Sequence, residues 1–332
     1  MICPPTPENL ERAVGLLQKG GCVGIPTETV YGLATDGFNA EAVLRVFEIK
    51  KRPSFDPLIL HLPEGYPVSE VVENIPGYGR DLLKKFWPGP LTLVLKKKAR
   101  VPDIVTAGLP AVAVRSPSHP VAQEVLRCFL GPLAAPSANR FGRISPTTAR
   151  AVEEELGDTV KIILDGGACL VGIESTIVDC SGLRPVLLRQ GAVSIEEIEA
   201  VVGPLDYGTT DRVAAPGMLK NHYAPRTPLH LSLSCMADIQ ELPGDAAYLF
   251  WTRPPSVSPK YFRVLTPRDE PREAAANLFA CLRELDGLGM SAIYCDPVPQ
   301  RGVGIAIADR LWRASQCTAR WNGTSFDLEK RN

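Results

Sequence analysis

Apolar and polar residues change their spacing along the chain, and that spacing predicts most of the elements. Over 6–19, Leu10, Val14 and Leu17 recur at helical intervals, with Thr6 placed to cap and Pro7 suited to the first turn. Gly20-Gly21 ends that helix, and 22–25 reads as a short apolar strand entering a Thr-rich loop. Further helices are predicted over 40–51, 78–86, 120–130, 147–156 and 194–202. The last opens on Ser194 with Glu197 three residues on, a capping box. Strands are predicted over 58–62, 91–95, 111–115, 133–135, 162–165, 175–179 and 186–189. Several strands follow one another with no helix between them, which points to a mixed rather than an all-parallel sheet. From Pro204 to Pro228 the pattern gives way to Gly, Thr, Pro and polar residues, the mark of a linker. Beyond it come a strand over 246–250, a helix over 273–285, a strand over 292–295 and a helix over 304–315. The expected organisation is a first domain over 1–205, a linker over 206–228 and a smaller α/β domain over 229–332.

Composition narrows the function. Of the 332 residues, 45% are hydrophobic and 22% charged, enough apolar material for ordinary cores. The formal net charge of -1 provides no broad basic face for strong nucleic-acid binding, although a local cationic pocket is compatible with it. The 9 cysteines include no C-x-x-C pair, so neither a zinc framework nor a disulfide scaffold is expected; buried, reduced thiols are. The N-terminus lacks a signal-peptide pattern, and no apolar run is long enough to cross a bilayer. A cytoplasmic protein without membrane contact is expected.

Candidate chemistry lies in the loops. No G-x-x-x-x-G-K-[ST] phosphate loop occurs, and Gly287-Leu-Gly-Met-Ser-Ala292 precedes its strand, the wrong order for a dinucleotide fingerprint. A nucleotide would have to be held by scattered cations and hydroxyls. Lys50 and Arg52 end a helix before Pro53, as simple caps or as phosphate ligands. Ser137 and Asn139 follow the strand 133–135, with Arg140 and Arg143 beside them. Ser145-Pro-Thr-Thr148 is expected to start a helix whose amides suit an anion. Thr27, Glu28 and Thr29 form a polar turn, either a ligand wall or a turn closed by its own hydroxyls. Gly172-Ile-Glu-Ser-Thr176 has the same character. His61 stands in an apolar strand, as a core histidine or a ligand. His222 and Tyr223 give the linker an aromatic character suited to an active-site lid.

These segments together resemble the YrdC/Sua5 family, the threonylcarbamoyl-AMP synthases. The resemblance rests on Pro26-Thr-Glu-Thr-Val-Tyr-Gly-Leu33, Lys50-Lys-Arg-Pro53, Pro57-Leu58, Trp87-Pro-Gly-Pro-Leu-Thr-Leu93, Val112-Ala-Val-Arg-Ser116, Ala135-Pro-Ser-Ala-Asn139 and Gly172-Ile-Glu-Ser-Thr176. The stretch from Gly302 to Leu311 and the linker look like the long Sua5 form with its C-terminal domain. The resemblance implies a YrdC-like twisted mixed sheet with flanking helices, followed by a smaller Rossmann-like α/β domain. It implies an enzyme that makes threonylcarbamoyl-AMP and pyrophosphate from threonine, bicarbonate or CO2, and ATP with Mg²⁺. The product would pass to the complex that modifies adenosine 37 of tRNA. The catalytic set carried over is Lys50, Arg52, Ser137 and Asn139. Threonine contacts fall on Thr29, His61, Arg115, Ala135 and Ser175, with Arg115 pairing the carboxylate. ATP contacts fall on Arg52, Asp56, Ala111, Ser137, Ser145, Arg189 and Tyr223; Ala111 here and Ala135 in the threonine set act through their backbones. Asp56 departs from the Asn common there in archaeal relatives; beside phosphates it would repel unless it held Mg²⁺. Two other readings compete: a nucleic-acid module, opposed by the near-neutral charge, and a hydrogenase-maturation carbamoyltransferase, opposed by the absence of cysteine pairs.

Overall fold

The computed structural model describes residues 1–208, 222–256 and 259–331. The chain divides into two compact units, Met1–Phe141 with Ser145–Leu219, and Gly142–Ile144 with Lys220–Asn332.

In the first unit the strands are β1 (Ile2–Cys3), β2 (Val23–Ile25), β3 (Gly32–Asp36), β4 (Ile59–His61), β5 (Leu91–Lys96) and β6 (Ala111–Arg115). They continue with β7 (Leu133–Ala134), β8 (Ile162–Leu164), β9 (Thr176–Asp179), β10 (Val186–Arg189) and β11 (Asp206–Tyr207). Among the described residues they form one sheet in the order β1-β8-β2-β3-β7-β4-β6-β5-β9-β10-β11. Pairing is mixed: β4 runs parallel to β6, β5 antiparallel to β6 and parallel to β9, and β9 antiparallel to β10. The helices are α1 (Pro7–Gln18), α2 (Ala40–Lys50), α3 (Gly77–Phe86), α4 (Asp103–Thr106), α5 (Pro120–Phe129), α6 (Ala149–Leu156) and α7 (Ile195–Val202).

Side chains alternate between the two faces of a strand. In the central strands Leu60, Leu91, Leu93, Leu95, Val112, Val114 and Val178 enter the main core, with Val43, Val46 and Phe47 of α2, Leu82 of α3 and Ile198 of α7. Their neighbours Ile59, Val94, Ala113 and Ile177 form a second, smaller cluster on the opposite face, flanked by Ala111 and Leu188. A third cluster joins α1 and α5 through Ala13, Val14, Leu17, Ala122, Val125 and Leu126 to β2 and β8.

The second unit holds β12 (Leu229–Ser232), β13 (Ala247–Phe250), β14 (Phe262–Val264), β15 (Ile293–Cys295), β16 (Cys317–Trp321) and β17 (Phe326–Lys330), ordered β14-β13-β15-β12-β16-β17. All neighbours are parallel except the edge pair β16–β17. Helices α8 (Pro271–Asp286) and α9 (Gly304–Ala314) connect β14 to β15 and β15 to β16. Crossover helices are what parallel neighbours require.

The structure departs from the sequence expectation at several points. Gly32–Asp36, where no element is predicted from sequence, is a strand between β2 and β7. Small residues there let the backbone approach: a Cβ on Gly32 would lie 3.3 Å from that of Ala135. The helix expected from 147 starts at Ala149, because the Thr148 side chain accepts from Ala151 N and caps it there. Asp206 and Tyr207, placed in the expected linker, pair with β10. The lid expectation falls partly on 209–221, outside the described residues. Cys3, Cys22, Cys169, Cys180 and Cys295 are buried as free thiols, but Cys128 and Cys235 are exposed, contrary to expectation. No helix among the described residues is long and apolar enough to cross a membrane.

The capping box is present as expected. Glu197 N donates to Ser194 Oγ, and Ser194 N donates to the Glu197 carboxylate. Ser194→Ala should lower the stability of the first unit by about 1 kcal/mol, read as a lower urea midpoint at unchanged slope.

Candidate active site

The sheet face bearing Ile59, Val94, Ala113 and Ile177 also bears His61, Thr92, Arg115 and Ser175, each two residues along the same strand or its extension. The strand period therefore assembles polar groups from four different strands.

The Thr-rich turn after β2 is closed by its own hydroxyls. Thr27 Oγ1 donates to Val30 O at 2.6 Å and accepts from Thr29 N and Val30 N. Thr29 Oγ1 lies 2.9 Å from Thr27 Oγ1 and accepts from Arg115 Nη1 at 2.9 Å. The Thr27 proton is committed to Val30 O, so the Thr29 hydroxyl donates to Thr27 Oγ1. Arg115 is fixed on two further sides: Nε donates to Gly89 O at 3.2 Å, and Nη2 lies 2.8 Å from Glu28 Oε1. The other Glu28 oxygen accepts from Ser118 N. These contacts do not exhaust the guanidinium N–H groups.

Ser175 Oγ is 2.7 Å from Thr92 Oγ1 and accepts from Arg189 Nη2, which also donates to Ser175 O. Gly191 permits this approach: a Cβ there would lie 2.4 Å from Glu174 O. Glu174 is buried and accepts from Ser145 Oγ at 2.6 Å. His61 is buried, and desolvation together with the Arg115 charge lowers its pKa to about 3, so the imidazole is neutral.

A second group forms where α2 ends. Lys51 takes the left-handed conformation at φ 51 and turns the chain between Lys50 and Arg52. The fully buried Lys50 donates to the carbonyls of Ser137 and Asn139, and burial pushes its pKa well below the ordinary value. Its amine thus fixes the backbone carrying Ser137 and Asn139. Arg52 donates to Asp56 O and Pro57 O and lies 2.8 Å from Asp56 Oδ1. Burial raises the Asp56 pKa, and the charges of Arg52, Lys50 and Arg189 oppose that rise. Arg52, Lys50 and Arg189 thus gather around the Asp56 carboxylate, a local grouping that the net charge of -1 conceals.

The backbone positions are equally specific. Ala135 N donates to Ile59 O at 3.1 Å. The β4–β6 ladder starts at Ile59 opposite Ala113, so Ala111 stands beyond it on the side nearer Pro57. Tyr223 belongs to the second unit, where it has φ 67, stacks on Phe279 at 5.6 Å and lies under the Arg310 guanidinium. Thr92 has no role assigned from sequence, and Glu28 and Glu174 stand in the two polar turns singled out there without an assigned partner. Thr92 shares strand parity with Val94, a signal present in the Pro-Leu-Thr-Leu-Val run; no spacing rule marks the two acids.

Comparison with known proteins supports one reading. The family model described as "Telomere recombination" (Sua5_yciO_yrdC) matches residues 15–191, and the "Threonylcarbamoyl-AMP synthase, C-terminal domain" model matches 193–316. The threonylcarbamoyl-AMP synthase of Pyrococcus abyssi is 39% identical, covering 91% of this chain and 93% of its own length. That of Bacillus subtilis is 38% identical with 92% of each covered. The crystal structure of P. abyssi Sua5 complexed with L-threonine superposes with a TM-score of 0.85 at 36% identity, over 92% of this chain and 94% of that one. The chain belongs to the Sua5/YrdC family of threonylcarbamoyl-AMP synthases, in the long form that carries both domains.

Proposed function

We propose that the first unit binds L-threonine against Arg115, Thr29, Ser175, His61 and the Ala135 backbone, and ATP against Arg52, Arg189, Ser137, Asn139 and Ser145. The observation that carries this reading is the shared position of Ser175. It touches Arg189, which interacts with Asp56 beside Arg52, and it lies on the sheet face of Arg115. A carboxylate-binding guanidinium on β6 and a phosphate-binding cation group that reaches Ser175 from β10 therefore share one face of the sheet.

The reaction needs orientation more than a covalent nucleophile. The threonine amine attacks CO2, or bicarbonate with loss of water; an N–C bond forms and the nitrogen gives up a proton. The carbamate oxygen then attacks the α-phosphorus of ATP, the bond to the bridging oxygen breaks, and pyrophosphate leaves. Arg115 holds the amino-acid carboxylate through the N–H groups its protein partners leave over. Arg52 and Arg189 neutralise charge on the phosphates as it shifts to the leaving group. Lys50 acts by fixing Ser137 and Asn139. Mg²⁺ enters with ATP, on the phosphates. The Asp56 carboxylate is engaged by Arg52, so it serves to hold that guanidinium. A neutral His61 adds no positive charge beside the amine, which must itself be neutral to react. The product would go to the tRNA threonylcarbamoyl transfer machinery in the cytoplasm.

Purified protein with Mg·ATP and bicarbonate should release pyrophosphate only when L-threonine is present. Release that is indifferent to threonine, or dependent on carbamoyl phosphate, would refute the assignment. Arg115→Ala should raise the KM for threonine by about 10- to 100-fold with a much smaller effect on that for ATP. The His61 pKa of about 3 lies below its ordinary 6.5, so the unfolded chain takes up the proton first. Its contribution to stability is complete above pH 6.5 and is lost as pH falls towards 3. His61→Gln should flatten part of the fall in Tm across that window, measured by thermal scans in a pH series.

A further inference from the structure

The second unit includes a short piece of chain from the middle of the sequence, Gly142–Ile144. Contacts to residues near Tyr223 and at the end of α8 hold it. Ala224 N donates to Gly142 O at 2.8 Å, and Arg143 forms a parallel bridge with Ala224. Arg143 Nη2 lies 3.2 Å from Asp286 Oδ2. Arg283 Nη2 donates to Ile144 O at 2.9 Å. Asp286 is a node, because its other oxygen accepts from Thr227 N at 2.8 Å. One carboxylate thus ties residue 143 to the segment after Tyr223.

The placement of Asp286 is unfavourable in itself. It is the last residue of α8, where the helix dipole and the free carbonyls favour a cation. Its side chain is only 10% exposed. The Arg143 guanidinium and the Thr227 N–H offset that placement. Arg283, one turn earlier on α8, holds the neighbouring residue 144. Two side chains of one helix terminus therefore converge on Arg143 and Ile144.

Those three residues have a special position in the chain. Only Arg140 and Phe141 separate them from Asn139, and Ser145 follows directly. Lys50 O accepts from Phe141 N, so the near side of the segment is tied to the Lys50 group. We infer that Asp286 and Arg283 are positioning residues for the nucleotide half of the reaction. By fixing 142–144 they set where Asn139 and Ser145 stand, and this gives the C-terminal domain a part in ATP use. The inference rests on the proposed nucleotide role of Asn139 and Ser145.

The test uses the full chain. Asp286→Ala, Asp286→Asn and the exchange Arg143→Asp with Asp286→Arg are compared with the parent in threonine-dependent pyrophosphate release. Amide hydrogen exchange at Ala224 reports whether the segment is released. Asp286→Ala should raise the KM for ATP by about three- to thirtyfold while that for threonine stays within a factor of about two, with faster Ala224 exchange. Asp286→Asn keeps an acceptor for Thr227 N and should show a smaller rise. The charge exchange should recover part of the loss, which a purely structural defect would not. Faster Ala224 exchange with an unchanged KM for ATP overturns the inference, as does an equal rise for both substrates. Failure of the underlying reading is distinguishable: Ser145→Ala and Asn139→Ala would then leave the KM for ATP unchanged in an otherwise active protein.

Discussion

Burying Lys50, Arg52, Arg115 and Arg189 is tolerable only where other protein groups replace their water. Each finds a replacement. Lys50 has two backbone carbonyls, Arg52 has Asp56 and Pro57 O, Arg115 has Glu28, Thr29 and Gly89 O, and Arg189 has Ser175. These compensations fix the loops that carry them. The turn after β2, the segment after β7 and the entry to β9 take their shapes from cations reaching in from other elements. A break in one pair leaves a buried charge without its partner, which is more damaging than the net worth of the pair.

The same requirement separates two tasks within the site. Lys50 holds the carbonyls of Ser137 and Asn139, and Asp56 holds the Arg52 guanidinium. The protein contacts of Arg115 use only some of its N–H groups. Desolvation supports both tasks, because it strengthens every charge interaction inside the cluster and keeps His61 neutral.

The second unit follows different physics. Its parallel sheet is joined by α8 and α9, and its polar network gathers at the C-terminal end of α8. Asp286 and Arg283 turn that helix end into a clamp on backbone from elsewhere in the chain. A Rossmann-like order of strands by itself does not define a ligand site; here the arrangement of side chains at one helix terminus is the informative feature.

Much of this was legible in the sequence. Periodicity gave α1, α2, α5 and α7, the strands β6 and β10 at their observed limits, and the capping box at Ser194. Those elements have strong local signals. β3 was not legible, because Gly-Leu-Ala-Thr-Asp has little strand propensity and is held by pairing with β2 and β7. The outer strands β16 and β17 also depend on each other. For the site, the motif residues were named from resemblance, while their partners were not. Nothing local says that Glu28 will meet Arg115, that Lys50 will reach the carbonyls of Ser137 and Asn139, or that Asp286 will take hold of Arg143. The sequence by itself determined which residue types were available and which strand face each would occupy. Only the tertiary structure decided the charge pairs, because they join residues far apart in the chain through the order of strands in a mixed sheet.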